Sequence, residues 1–143
     1  MIEFLLRANG KEAFEDLMKE EGWMLANGSL HREALCDPMP GSGDYAGGIP
    51  ILEALAGKPG DKPPYYANVR ITGGLEASQT AGWPQTDANG KLLPQWQRTE
   101  LGQAAYRSGV PWTAANGTTN GIEFGNITFI NIESVKSRKR VWQ

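Results

Sequence analysis

Very few side chains in this sequence could supply acid–base or nucleophilic chemistry. Asp37, Asp44 and Glu53 flank or lie within a stretch rich in glycine and proline, and two carboxylates at a fixed separation are what glycoside hydrolysis requires. His31 and Cys36 are each the only residue of their type. Their isolation excludes a disulfide within the chain and most zinc and histidine-based catalytic sites. The sequence therefore predicts no catalytic, metal-binding or cofactor-binding residues.

A group of aromatic residues is the stronger candidate for binding. Trp83, Trp96, Tyr106 and Trp112 lie among Gly, Pro, Asn and Gln within residues 73–125. Aromatic rings among adaptable polar residues are typical of protein–protein interfaces and of surfaces that stack on sugars. The alternative is a small core beneath the loops. A core predicts buried indoles, whereas an interface predicts indoles that are exposed in the isolated chain.

Composition predicts a folded domain without a membrane partner. The chain has 143 residues, of which 21% are charged and 40% hydrophobic, enough for one domain with its own core. No apolar run approaches the roughly 20 residues of a membrane helix. The first residues carry an acid where a signal peptide has a base. We therefore expect synthesis in the cytoplasm.

Charge is divided unevenly along the chain. Residues 1–135 contain 10 bases and 16 acids, a net charge of −6. The last eight residues contain no acid and four bases: Lys136, Arg138, Lys139 and Arg140. Such a segment is often a solvated strand edge, but an acidic body and a basic end also suit head-to-tail contacts between copies. We expect no nucleic-acid partner.

The clearest elements are two strands and a helix. Alternating apolar residues predict strands over residues 1–8 and 65–72. Between them, apolar residues at spacings of three and four predict a helix over residues 11–21. Asn9 is predicted to cap this helix, with Glu12 returning the bond in a capping box.

The remaining elements are less regular. Glycines and prolines predict a loop over residues 37–48, and residues 49–56 form either a short helix or part of a buried strand. A short helix is predicted over residues 99–107 and a central strand over residues 127–135. The rest of residues 73–125 carries turn signals and weak regular structure.

These elements predict a single α+β domain over residues 1–143. We expect a small mixed or antiparallel sheet with one main amphipathic helix packed on it. Residues 1–72 and 126–143 would form the α+β core, and residues 73–125 a loop-rich excursion that contains the tryptophans.

Asn68 and Arg70 mark the polar face of the strand over residues 65–72. The opposite face, Ala67, Val69 and Ile71, is expected to pack on the helix over residues 11–21. We expect Asn68 or Arg70 to bond to the backbone of a neighbouring loop or of the C-terminal segment.

Three segments resemble, in the same order, a family of small proteins that tailed bacteriophages and prophages encode near their tail genes. The first is a strand and helix leading to Gly22-Trp23. The second, Tyr66-Ala67-Asn68-Val69-Arg70, resembles a His-Val-Asn-Leu/Val-Arg pattern, with Tyr66-Ala67 replacing its first two residues. The third, Ser137-Arg138-Lys139-Arg140-Val141-Trp142-Gln143, resembles a closing Thr-Pro-x-Arg-Val-Trp-Ala, without the proline. The similar segments cover about half of the chain.

The resemblance implies a role in the virion rather than in catalysis. It carries over no catalytic residue, and its motif residues here are Asn68, Arg70, Arg140 and Trp142. The implied function is that of a virion structural or assembly protein, associated with the tail or tail fibre. Its expected partners are other phage structural proteins in a homo- or hetero-oligomeric assembly. Its expected location is the host cytoplasm at synthesis and then the virion.

Two alternatives remain open from the sequence. The first is a binding module of the host cytoplasm, such as an inhibitor of a host defence protein, that uses the acidic helix over residues 11–21 or the tryptophan loops. The second is a cell-wall or sugar-active enzyme that uses Asp44, Glu53 and the tryptophans.

Overall fold

The first strand of the chain, Ile2–Ala8 (β1), lies inside a six-stranded sheet. This is seen in a computed structural model that describes residues 1–39, 64–114 and 120–131. The predictions for residues 49–56, for Asp44 and for the segment with Arg140 and Trp142 lie outside the described residues.

The six described strands form one sheet in the order β2-β3-β1-β6-β5-β4. Every pairing between them is antiparallel. The strands after β1 are Ala34–Met39 (β2), Tyr65–Ile71 (β3), Val110–Thr113 (β4), Asn120–Phe124 (β5) and Ile127–Ile130 (β6). The predicted α+β fold class is confirmed, and the described sheet is antiparallel rather than mixed.

The first helix, Lys11–Glu20 (α1), packs on the sheet as its periodicity predicts. Phe14 and Met18 are buried in the same core as Ala67, Val69 and Ile71 of β3, which is the packing expected between these two elements. The Phe14 ring also lies 4.9 Å from that of Tyr65, measured between centroids.

The predicted cap of α1 is wrong. Gly10, not Asn9, occupies the N-cap position, with φ 107° and without a side-chain cap bond. Asn9 instead donates its backbone N–H to the carbonyl of Asn126 at 2.9 Å. Residue 9 thus continues the alignment of β1 with β6, and Gly10 makes the left-handed turn into the helix.

The predicted loop from residue 37 is also wrong at its start. Residues 34–39 form β2, which pairs with β3 along its length. Pro38 argues against a strand in the sequence, but β2 is an edge strand in the described sheet, where a missing N–H need not break a ladder.

Residues 73–125 are more regular than their composition indicates. They contain helix Gly73–Thr80 (α2), a 3-10 turn at Gln95–Arg98, helix Glu100–Ser108 (α3) and strands β4 and β5. The helix predicted over residues 99–107 is confirmed as α3. Loop structure dominates between α2 and the 3-10 turn, and strands β4 and β5 join the main sheet.

The main hydrophobic cluster lies on one face of the sheet, which we call the helix face, while Leu5 and Ile130 are buried on the opposite face. Each described helix and the 3-10 turn contribute a side chain to it. Four rings cross it in a continuous line: Trp23, Phe4, Phe129 and Trp96. β6 lies between β1 and β5 and all four of its residues are buried, so its predicted central position is confirmed. Residues 132–135 of the predicted strand lie outside the described residues.

The close approach of α3 to the 3-10 turn requires a glycine at residue 102. The Thr99 hydroxyl donates to the Trp96 carbonyl at 2.7 Å and accepts from the Gly102 N–H at 2.9 Å. A Cβ on Gly102 would lie 1.7 Å from the Trp96 carbonyl oxygen. That oxygen belongs to backbone, so it cannot move without displacing the turn.

We predict that Gly102→Ala destabilises the protein although alanine favours helices. Forcing an extra methyl into packed backbone costs about 1–3 kcal/mol, and urea unfolding followed by circular dichroism measures the loss. Gly74→Ala is the matched control, because its Cβ would meet only the Glu33 side chain, at 3.4 Å. Equal stability of the two variants would contradict the packing argument.

Candidate functional site

Trp96 is a core residue and not an interface residue of the isolated chain. Its side chain is 5% exposed and stacks on Phe129 with ring centroids 5.1 Å apart and planes 14° from parallel. Its indole N–H donates to the Asn131 Oδ1 at 3.2 Å. For Trp96, therefore, the core alternative holds, because the 3-10 turn places the indole over the middle of the sheet.

The other three aromatic candidates are accessible but do not form one surface. Trp83 is half-buried, with the Arg107 guanidinium 5.0 Å from its ring centroid, and Tyr106 on the same helix as Arg107 is 57% exposed. Trp112 lies on the opposite side of the sheet, with Arg7 5.8 Å from its ring centroid. The sheet thus separates Trp112 from the other two.

Asn68 and Arg70 lie on the face of the sheet away from the described helices. The Arg70 Nε forms an ion pair with the Glu3 Oε1 across the strands at 3.6 Å, which is too long for a hydrogen bond. Asn68 is 2% exposed, and its Nδ2 has no hydrogen-bond partner within residues 1–39, 64–114 and 120–131. The expected bond from Asn68 or Arg70 to nearby backbone is not seen among the described residues.

A groove of about 550 Å³ lies between α1 and the β5–β6 hairpin. The apolar residues of its lining belong to the margin of the core: Ala13, Leu17, Leu101, Phe124 and Ile127. All of these except Ile127 are only partly buried, so their remaining apolar surface faces the groove. We call this feature the acidic groove because of its rim.

Carboxylates form one rim of the acidic groove. They are supplied by α1 and the residue that follows it: Glu12, Asp16, Glu20 and Glu21. The described lining contains no lysine or arginine. The rim therefore carries a local negative charge beside apolar surface, which suits a basic ligand with apolar side chains.

The spacing of these acids is unfavourable for the helix alone. Glu12, Asp16 and Glu20 follow one another at four-residue intervals, where like charges repel by a few tenths of a kcal/mol per pair. Glu20 and Glu21 also lie at the C-terminal end of α1, where the helix dipole disfavours negative charge. Glu12, by contrast, lies in the first turn, where the dipole favours negative charge, and Lys19 lies in the last turn, where it favours positive charge.

Glu21 connects the groove to the interior. Burial raises the pKa of its carboxyl group above the ordinary value, and the neighbouring Glu20 and Glu100 add to the increase. The Gln79 Nε2 donates to the Glu21 Oε2 at 2.9 Å and partly offsets it. A positively charged partner in the groove would favour the ionised form of Glu21.

The described residues hold no group of three or more potential metal ligands. Asp37, one of the carboxylates considered for acid–base chemistry, is buried in β2, and Asp44 and Glu53 lie outside the described residues. Burial, and secondarily Asp37, raises the pKa of the Cys36 thiol to about 12. In residues 1–39, 64–114 and 120–131, no helix is both long and apolar enough to cross a bilayer.

Comparisons with protein-family models, with curated proteins and with solved structures gave no match to this chain. The resemblance to the phage family therefore stays a prediction.

The acidic groove was not predicted from the sequence. In the sequence, the acids of α1 look like an ordinary solvated helix face. The groove exists only because the β5–β6 hairpin and Leu101 lie across from α1 in the fold. The available signal is the run of like charges at four-residue spacing, which lacks the alternating signs of a stabilised surface helix.

We predict that Glu21→Gln stabilises the protein at about pH 7 but not at about pH 3. The folded state holds the Glu21 proton more tightly than the unfolded chain does. The free energy of unfolding therefore falls as pH rises from the ordinary carboxylate range through the raised pKa. Glutamine removes this loss and can still accept from Gln79.

Urea unfolding across this pH range measures the effect. Glu15→Gln is the control, because Glu15 also lies on α1 and forms only a long ion pair with Lys11, at 3.9 Å. A stability gain for Glu21→Gln that is the same at both pH values would contradict burial as its cause.

We predict that native Cys36 resists alkylation. A pKa of about 12 leaves little thiolate near neutral pH, and the thiolate is the reactive form. Iodoacetamide labelling at about pH 8 should be at least about a hundredfold slower in the folded protein than in urea, where the ordinary pKa returns. Mass spectrometry measures the labelling, and equal rates for the folded and the urea-unfolded protein would contradict this prediction.

Proposed function

We propose that this protein is a virion structural or assembly protein of a tailed bacteriophage, associated with the tail or tail fibre, and that it acts by docking to other proteins. The acidic groove is the observation that carries the docking role. It combines partly exposed apolar side chains at the margin of the core with a row of carboxylates, three of which repeat at four-residue spacing on α1.

The assignment to a phage particle is supported by the resemblance of three segments to a phage protein family. A docking role agrees with the uneven charge of the chain, with a net −6 on residues 1–135 and four bases among the last eight residues. Exposed Tyr106 and partly exposed Trp83 and Trp112 offer further contact area for an assembly with several neighbours.

A host-cytoplasm binding module is the second candidate, and the same groove favours it. The rim belongs to α1, the helix that this alternative would use, and an acidic groove would suit a basic site on a host protein. The two proposals differ in where the protein is found, because a cytoplasmic inhibitor need not enter particles.

We predict that the protein co-purifies with virions of the phage that encodes it and that deletion of its gene abolishes plaque formation. Immunoblots of gradient-purified particles measure co-purification. Plaque counts, with and without a complementing copy of the gene, measure the effect of the deletion. A triple variant, Glu12→Gln, Asp16→Asn and Glu20→Gln, should restore fewer plaques than the unmodified gene, because its groove has lost three of its four carboxylates.

A control variant, Glu15→Gln with Asp87→Asn, neutralises acids outside the groove and should complement fully. Absence of the protein from particles, together with normal plaques after deletion, would refute the virion assignment. Capture of a host protein from lysate under those conditions would support the cytoplasmic alternative.

A further inference from the structure

Two exposed turns of the chain share the sequence Ala-Asn-Gly and the same backbone bonds. The first is Leu25-Ala26-Asn27-Gly28-Ser29, and the second is Asp87-Ala88-Asn89-Gly90-Lys91. In each turn, the first N–H donates to the carbonyl of the fifth residue, and the glycine N–H donates to the carbonyl of the first residue. These bonds measure 2.7 and 2.9 Å in residues 25–29 and 2.8 and 3.1 Å in residues 87–91. Both glycines have positive φ. The two turns can therefore be compared residue by residue.

The turn at residues 87–91 begins with an aspartate, which takes up the free N–H groups of the turn. The Asp87 Oδ1 accepts from the N–H of Asn89 at 2.8 Å and from the N–H of Lys91 at 3.0 Å. The side chain of Asn89 is left without a hydrogen bond to the described residues. Nothing in this turn therefore holds the Asn89 side-chain amide against its own backbone.

The turn at residues 25–29 begins with a leucine, so the asparagine itself takes the corresponding bond. The Leu25 side chain has no acceptor, and the Ser29 N–H donates to the Asn27 Oδ1 at 2.9 Å. This is an Asx turn, in which the side-chain carbonyl replaces a backbone carbonyl. It folds the Asn27 amide back over the following peptide, so that Cγ lies beside the Gly28 nitrogen.

We propose that Asn27 is a site of spontaneous deamidation. The Gly28 nitrogen loses its proton to water and forms a bond to the Asn27 Cγ, which glycine permits because no side chain stands in the way. The bond from Cγ to Nδ2 then breaks, and the amide nitrogen takes up a proton and leaves as ammonia. Water opens the resulting cyclic imide at either carbonyl, which leaves aspartate or isoaspartate at position 27.

The Asx turn favours this reaction in two ways. The bond from the Ser29 N–H holds the attacking nitrogen and the attacked carbon close together, which removes part of the cost of orienting them. The same N–H also stabilises the negative charge that develops on the Asn27 Oδ1 during the attack. Asn27, Gly28 and Ser29 are all exposed, so water reaches each reacting atom.

The reaction changes a segment that links α1 to the sheet. It adds one carboxylate, and isoaspartate also adds a methylene group to the main chain. The turn is closed at its base by the bond from the His31 N–H to the Trp23 carbonyl, at 2.9 Å, and Trp23 belongs to the core. The modification does not depend on what the acidic groove binds.

The test follows both asparagines in the same sample of the full chain. The protein is incubated in mildly alkaline buffer, and peptide mass spectrometry measures the exchange of amide for carboxylate at Asn27 and at Asn89. One preorganised donor accelerates a reaction in an enzyme by about 100-fold or more, and exposure to water weakens the effect. We therefore expect Asn27 to react about tenfold faster than Asn89. In urea, where the turns are lost, the two should react at similar rates.

Exchanging the first residues of the two turns tests the cause. Leu25→Asp supplies the acceptor that this turn lacks and should slow Asn27 to about the rate of Asn89. Asp87→Leu removes the acceptor and should raise the rate of Asn89 toward that of Asn27. Leu25→Ala is the matched control, because it changes the side chain without adding an acceptor, and it should leave the Asn27 rate unchanged. Both positions are exposed, and circular dichroism checks that each variant is folded.

Two outcomes would overturn the proposal. One is equal rates at Asn27 and Asn89 in the folded protein. The other is a folded Leu25→Asp variant in which Asn27 reacts as fast as in the unmodified chain, because the bond from the Ser29 N–H would then have no effect on the reaction.

Discussion

Four aromatic rings in contact hold the parts of this molecule together. Phe4 of the central strand contacts Trp23 at 5.5 Å and Phe129 at 5.6 Å between centroids, and Trp96 stacks on Phe129. Trp23 follows α1 and Trp96 comes from the 3-10 turn before α3. One line of rings therefore joins the first helix, the sheet and the long second half of the chain. Each ring buries a large apolar area, so a change to any of them affects every element that the line connects.

The position of the acidic groove depends on this arrangement. Phe4 and Phe129 align β1 with β6, and the pairing of Asn9 with Asn126 extends that alignment to the start of α1. Thr99 and Gly102 then bring α3 against the 3-10 turn, which places Leu101 at the groove. The carboxylates of α1 thus face apolar surface from residues almost a hundred positions away. Glu21 shows the electrostatic result, since burial beside other acids raises its pKa.

Several elements could be predicted because their signals are local. The alternation in β1 and β3, the periodicity of α1 and the Thr99–Gly109 boundaries of α3 depend on neighbouring residues alone. Two predictions failed because a distant partner decided the outcome: Pro38 lies in a strand because β2 pairs with β3 at an edge, and Gly10 replaces Asn9 as the cap. For Trp96, which the sequence left as either core or interface, the stacking on Phe129 decided for the core. β4 and β5 were missed because short strands with glycine and proline gain their stability from the sheet they join.

The sequence by itself determined the α+β class, the main helix and strands, and the division of charge between the body and the last eight residues. These follow from periodicity, turn residues and composition, which are properties of neighbouring positions or simple counts. Only the tertiary structure decided which aromatic residues are core and which carboxylates face a groove. Burial depends on what lies across the sheet, and a groove exists only between elements that folding brings together. That is why the acids of α1 appear in the sequence as an ordinary solvated surface and in the structure as the rim of a candidate binding site.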